Sequence, residues 1–127
     1  MKQILNLLFN PFYWAKLIFG SGVNEEYING MLLKDEQLEL HTSGVINGNP
    51  MTILCTNKRL IFTHKGLLSQ ALEDFKWHQI GTVQTTSQLM MSSTLHLKIG
   101  YKKYDIKYVK AQEFKDLENI IRNKTNE

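Results

Sequence analysis

The sequence predicts a mainly β domain with a helical finish: an antiparallel barrel of about seven short strands in sequential hairpins, capped by one C-terminal helix. Three observations carry this. Met51–His64 reads as two strands about a tight turn, because Thr52–Cys55 and Leu60–Thr63 are residues that suit a pleated, half-buried surface. On either side of that hairpin, apolar and polar residues alternate over short runs bounded by Gly, Asn and Pro. The end of the chain switches to a helical period, with Ala111, Phe114, Leu117, Ile120 and Ile121 forming one stripe.

The 127 residues fit one domain, 23–127, with an apolar N-terminal segment, 1–22, ahead of it. An apolar fraction of 43% and a charged fraction of 21% are ordinary for a globular protein. Cys55 is the one cysteine, so no internal disulfide forms and no cysteine pair offers a metal site. It suits a reducing compartment and, lying within an apolar strand, reads as an inert core residue. The net charge of +3 is unevenly spread. Residues 23–50 hold Glu25, Glu26, Asp35, Glu36 and Glu39 against Lys34, whereas from Lys76 onward nine basic residues face five acidic ones. Such a split suits self-association or a polar contact surface and is too small to imply nucleic acid.

In chain order, residues 1–22 are dense in Leu, Ile, Phe, Tyr and Trp. Asn6, Asn10, Pro11 and Lys16 break the apolar run, no small-x-small cleavage site follows, and a membrane span of roughly 20 apolar residues is not available. Two short helices, 2–9 and 11–19, are expected, the second starting at Pro11 under an Asn10 cap and stopped by Gly20-Ser21-Gly22. Residues 23–36 read as an amphipathic helix capped by Asn24, with Tyr27, Ile28, Met31 and Leu32 on one face. Residues 37–47 form a strand with Leu38, Leu40 and Ile46 on one side and Glu39, His41 and Ser43 on the other. Asn47–Pro50 is a turn. In the hairpin that follows, Asn57-Lys58 has turn spacing, Asn being tolerant of φ > 0. Leu60 and Phe62 share parity and are expected inside, against Phe114 and Leu117. Further strands are expected at 70–77, 79–87, 89–99 and 103–109, with Trp77-His78 at a bend and Gly100 at a turn. In the last of them Tyr104 and Tyr108 are placed beside Ile106, opposite Lys103 and Lys107.

The run Leu54-Cys55-Thr56-Asn57-Lys58-Arg59-Leu60-Ile61-Phe62 resembles the hairpin of bacterial pleckstrin-homology-like domains of the YokE type. Phe75-Lys76-Trp77-His78-Gln79-Ile80-Gly81-Thr82-Val83 is similar to the segment that follows it there, and the C-terminal helix after a basic hairpin agrees. The resemblance covers roughly residues 24–124 and leaves residues 1–22 outside; Cys55 departs from its usual aliphatic residue. It implies a barrel of about seven strands capped by a helix, with no catalytic activity.

The residues themselves offer no catalytic constellation. His41, His64, His78 and His96 lie on separate strands or bends without metal-ligand spacing. Ser43, Ser69 and Ser92 lack a Gly-x-Ser-x-Gly setting, Gly44–Gly48 leads into no Lys-Ser/Thr, and Glu73-Asp74 has no second group for acid–base work. In 100–110 strand parity separates tyrosines from lysines, which argues against a stacking platform for nucleic acid. No cofactor or metal is implied. Arg59, just after the turn, is expected to tie the hairpin to carbonyls or to a carboxylate. With Lys98, Lys103 and Lys107 it is also a candidate contact for an anionic partner. The expected function is a non-enzymatic interaction module that binds a protein partner, including copies of itself. The alternative is a peripheral membrane-surface adaptor held by the N-terminal segment, through Phe9, Phe12, Trp14, Lys16 and Phe19, and by the lysine-rich hairpin. Its expected location is the cytoplasm, peripheral at the inner face of the cell membrane.

Overall fold

The computed structural model describes residues 24–65, 70–87 and 93–126. It begins with helix α1 (Glu25–Met31), followed by strands β1 (Leu38–Ile46), β2 (Asn49–Thr56), β3 (Arg59–Lys65) and β4 (Gln70–Lys76). A single 3-10 turn, Trp77–Gln79, leads into β5 (Ile80–Thr86), β6 (Thr94–Ile99) and β7 (Lys102–Lys107), and helix α2 (Ala111–Thr125) ends the domain. The seven strands form one antiparallel sheet in the order β4-β3-β2-β1-β7-β6-β5. The expected mainly β architecture with a C-terminal helix is therefore the one observed. The two short N-terminal helices expected at 2–9 and 11–19 lie outside the described residues.

β1 joins the two halves of the sheet. It pairs along its length with β2 but meets β7 only at Val45 and Ile46. The halves β1–β4 and β5–β7 then share one buried cluster, in which Ile53, Leu60 and Phe62 of one half meet Leu95, Leu97 and Ile106 of the other. Phe62, Phe75 and Tyr104 pack edge-on or tilted, with ring centroids 5.3–5.6 Å apart. Phe114, Leu117 and Ile121 of α2 belong to the same cluster, so Leu60 and Phe62 do point inward to the helix. Each such side chain, fully buried, contributes about 1.5–3 kcal/mol.

A second, smaller cluster explains why β2 reads as an uninterrupted apolar run. Ile53 and Cys55 face the interior, while Leu54 faces outward and is covered, with Ile61, by Ile28 of α1. Buried on both faces, β2 has no polar side to display. α1 itself is shorter than the helix expected over 23–36. Asn24 caps it, its Oδ1 accepting the Tyr27 amide at 2.8 Å, but the helix stops at Met31. There the Glu36 carboxylate takes the Leu33 amide at 2.9 Å and Asp35 turns the chain with φ 66°.

Four further details differ from the sequence reading. A bulge between Leu38 and Leu40 puts these residues on opposite faces: Leu38 packs against the α1 cluster and Leu40 against the interior. Asn57 does not supply a positive φ; Asn47 does, with φ 51°, followed by Gly48 at 84°, in the two-residue β1–β2 turn. β7 ends at Lys107, and Tyr108, at φ 61°, swings out to 69% exposure, so the expected pair of inward tyrosines reduces to Tyr104. Of the strand expected over 89–99, Ser93 lies outside any strand and β6 runs from Thr94, while residues 88–92 lie outside the described set. The kink at Tyr108 turns Val109 inward onto Gly44, where an added Cβ would stand 2.8 Å from the Val109 Cγ2 and 3.0 Å from the Lys107 carbonyl oxygen.

α2 is fixed at both sides of the sheet. Arg122 donates to the Val83 carbonyl at 3.3 Å and the Thr85 hydroxyl at 3.1 Å on β5, where Thr85 also meets Glu118. Lys124 pairs with Glu39 of β1 at 2.8 Å.

Phe62→Ala is expected to cost about 3–5 kcal/mol in urea melts. Lys58→Ala, on an exposed turn, should cost under about 0.5 kcal/mol. Gly44→Ala should cost about 1–3 kcal/mol, because the β1–β7 junction has no room for a methyl group.

Candidate functional site

The residues Thr56-Asn57-Lys58-Arg59 clamp the chain between α1 and β1. The Arg59 fork donates from Nε to Glu36 Oε2 at 2.9 Å, from Nη2 to Glu36 Oε1 at 3.1 Å and to the Met31 carbonyl at 3.0 Å, and from Nη1 to Asp74 at 2.9 Å. The Thr56 hydroxyl donates to Glu36 Oε2 at 2.6 Å while accepting the amides of Lys58 and Arg59. Asn57 accepts the Gln37 amide at 2.7 Å and donates to the Asp35 carbonyl, and Lys58 Nζ reaches the Lys34 carbonyl at 3.1 Å. Across the hairpin, Trp77 Nε1 donates to the Thr56 carbonyl at 3.0 Å. Each side chain of this tetrapeptide therefore holds the protein itself.

Glu36 is the residue that sequence reasoning missed, having counted it in an acidic surface patch. Its side chain is fully buried. Burial pushes its carboxyl up, but hydrogen bonds from Arg59, Leu33 and Thr56 outweigh that and hold it down at about 2. The signal was indirect: an arginine beginning a core strand needs a carboxylate, and none lies next to it in sequence. Two other groups are also closed to partners. Cys55 is buried and desolvation pushes its thiol up to about 12, which agrees with an inert core residue. Burial and a hydrogen bond to Glu73 at 2.7 Å raise Tyr104 to about 12.

A different surface stays open. Lys98, Lys103 and Lys107 share the outer face of β6 and β7, and all three are exposed. Lys98 lies directly opposite Lys103. The hairpin ends at Gly100-Tyr101, where Tyr101 is fully exposed beside Lys102. The side chain of Asn47 stitches the β1–β2 turn to this hairpin, donating to the Lys103 carbonyl and accepting the Asp105 amide, both at 2.9 Å. Of the four candidate anionic contacts, the fold thus sets Lys98 beside Lys103, leaves Lys107 further along the same face, and spends Arg59 elsewhere. Phe9, Phe12, Trp14, Lys16 and Phe19 lie outside the described residues.

On the same face, Thr86, His96 and Asp105 form a hydroxyl–imidazole–carboxylate row, with His96 Nε2 2.9 Å from Thr86 Oγ1 and Nδ1 2.7 Å from Asp105. The spacing is that of a catalytic triad, yet a triad also needs donors for an oxyanion. Here the neighbouring strands pair with one another through β5–β6–β7, and the His96 and Asp105 side chains are 36% and 47% exposed. The row is a polar ladder across three strands. Among the described residues no three His, Cys, Asp or Glu side chains gather to hold a metal ion, and no helix is long and apolar enough to cross a membrane.

The Glu36 carboxylate gives a pH signature. Its ionised form is favoured in the folded state, so its stabilisation is complete above about pH 4.5 and is lost as pH falls toward about 2. The total is on the order of 3 kcal/mol. Urea melts at pH 7 and pH 3 should show a smaller acid loss in Glu36→Gln than in the unmodified protein. Arg59→Ala should cost about 3–5 kcal/mol at pH 7, since it strands a buried charge, and Glu36→Gln should partly rescue it.

Comparison with known proteins agrees with this architecture. The crystal structure of a pleckstrin homology domain from Shewanella amazonensis SB2B superposes with a TM-score of 0.59 at 17% identity, covering 80% of this chain and 95% of that one. A protein with a pleckstrin-homology domain from Shewanella loihica PV-4 gives 0.55 at 21% identity, over 81% and 94%. These likenesses show the fold. No curated protein matches the chain. Domains of this fold are generally protein or lipid interaction modules and are typically non-enzymatic. A family model described as Bacterial PH domain matches residues 32–123, and the chain belongs to that family.

Proposed function

We propose that this domain is a non-enzymatic interaction module whose partner is an anionic membrane surface, met by the outer face of β6 and β7. The observation that carries this reading is the Lys98–Lys103 pair, directly opposite across two strands. Like charges so placed destabilise a sheet, so the fold gains nothing from them. Asp105, the carboxylate on that face of β7, is engaged by His96. An anionic surface relieves the repulsion, and each lysine near it contributes about 1 kcal/mol. Tyr101 at the hairpin tip is suited to headgroup depth. Residues 1–22 supply the second, apolar signal through Phe9, Phe12, Trp14 and Phe19, with Lys16 among them. Two weak anchors on one chain bind together more tightly than either alone.

Vesicle co-sedimentation tests the reading. The protein should pellet with phosphatidylserine-containing vesicles, less at high salt, and not with neutral ones. Replacing Lys98, Lys103 and Lys107 by Gln should weaken binding by about 10- to 100-fold without lowering the melting temperature. A protein that ignores both vesicle types but self-associates in light scattering would replace the membrane by a protein partner.

A further inference from the structure

His96 stands in the middle row of the outer face of β5, β6 and β7, with Gln84 directly opposite on one side and Asp105 on the other. The charges around it are Lys98, two residues along its own strand, and Lys103, Asp105 and Lys107 on β7. β5 presents only hydroxyl and amide side chains to this face, and residues 88–92 carry no titratable group. Asn47 takes the Lys103 carbonyl and the Asp105 amide, so these backbone groups turn away from β6. Lys98–Lys103 and His96–Asp105 are therefore the close, non-hydrogen-bonded pairs of the ladder, with Cα atoms about 4.5 Å apart. Residues two apart on a strand lie roughly 7 Å from each other, inside the screening length of about 8 Å at physiological salt. Whatever meets the lysines thus feels the charge on His96 as well.

We infer that His96 is a proton switch on this face, which strengthens its hold on an anionic surface as pH falls; the inference rests on the membrane reading above. The Asp105 carboxylate only accepts, so His96 Nδ1, 2.7 Å away, carries a hydrogen and donates it. In the neutral ring Nε2 then accepts from the Thr86 hydroxyl at 2.9 Å; in the imidazolium Nε2–H donates to the same oxygen, and the hydroxyl turns. Both charge states satisfy the row, so the proton comes and goes without moving a strand. What changes is the charge. Three lysines against Asp105 leave the face at +2, and a proton on His96 makes it +3. Asp105 is in effect a built-in counter-charge: it subtracts from the lysines while the ring is neutral and is cancelled when the ring is charged. Imidazole is the side chain that ordinarily changes charge between about pH 5 and 8. An anionic surface favours the imidazolium, so binding takes up a proton, and by reciprocity a lower pH favours binding.

The test uses the full chain and vesicles of phosphatidylglycerol in phosphatidylcholine, whose phosphodiesters keep their charge between about pH 5.5 and 7. The amino terminus stays mostly protonated over the same range. Affinity should rise about 3- to 5-fold from pH 7 to pH 5.5, the effect of most of one added charge at such a surface. His96→Gln, neutral at both values, should cut the difference to under about 2-fold. His41→Gln, at an exposed position on β1, should keep the full difference. Asp105→Asn removes the counter-charge and should bind about 5-fold more tightly than the unmodified protein at pH 7. Binding without pH dependence, or with a dependence that survives His96→Gln, overturns this inference and leaves the membrane reading standing. Failure to pellet at either pH overturns both.

Discussion

The fully buried Glu36 carboxylate is the constraint on which the domain's arrangement depends. A charge in that position is tolerated only with complete pairing. Arg59, Thr56 and the Leu33 amide provide it. Because Arg59 opens β3, Thr56 closes β2 and Glu36 precedes β1, one cluster sets the geometry of three strands. The same arginine reaches Met31, the last residue of α1, and Asp74 on β4. The helix is therefore locked over the outer face of β2 and β3, and the small second core beneath it follows from that placement.

Two-sided burial of β2 follows. The interior side belongs to the core that α2 closes, the outer side to α1, and the strand has no solvent-facing residue after Pro50. Local rules yield at this center. The bulge at Leu38 and Leu40 lets a single strand feed both cores. The left-handed turn at Tyr108 gives up a buried tyrosine so that Val109 can fill the space left by Gly44.

The distribution of charge separates stability from recognition. Charged groups that hold the fold are paired inside it, as in Glu36–Arg59–Asp74, or bridge α2 to the sheet, as in Lys124–Glu39. Lys98 and Lys103 are unlike these: they lie directly opposite each other across β6 and β7. A fold does not by itself define a function, and the proposed membrane contact draws on the like-charge Lys98–Lys103 pair instead. The Thr86–His96–Asp105 row is a hydrogen-bonded ladder across three strands on the exposed sheet face.

From the sequence alone, the class of fold, the inward placing of Leu60 and Phe62 and the C-terminal helix were legible, because these are written in residue periodicity of two and of 3.6; the expected run of sequential hairpins breaks at β4 and β5, which lie at opposite edges of the sheet instead of pairing. The tetrapeptide Thr56–Arg59 was legible as a hairpin motif and Arg59 as a fork in need of acceptors. What periodicity does not encode is pairing between residues far apart in the chain. Glu36 lies 23 positions from Arg59, and nothing in its neighbourhood distinguishes it from the exposed acids Glu25 and Glu26. Likewise, Lys98 and Lys103 confront each other only because the hairpin register, closed by Gly100-Tyr101, brings them level. Bulges and left-handed residues at Leu38 and Tyr108 shift parity by one position, and a shift of one moves every following side chain to the other face. Tertiary contacts decide where such shifts are worth their local strain, and only the folded chain contains them.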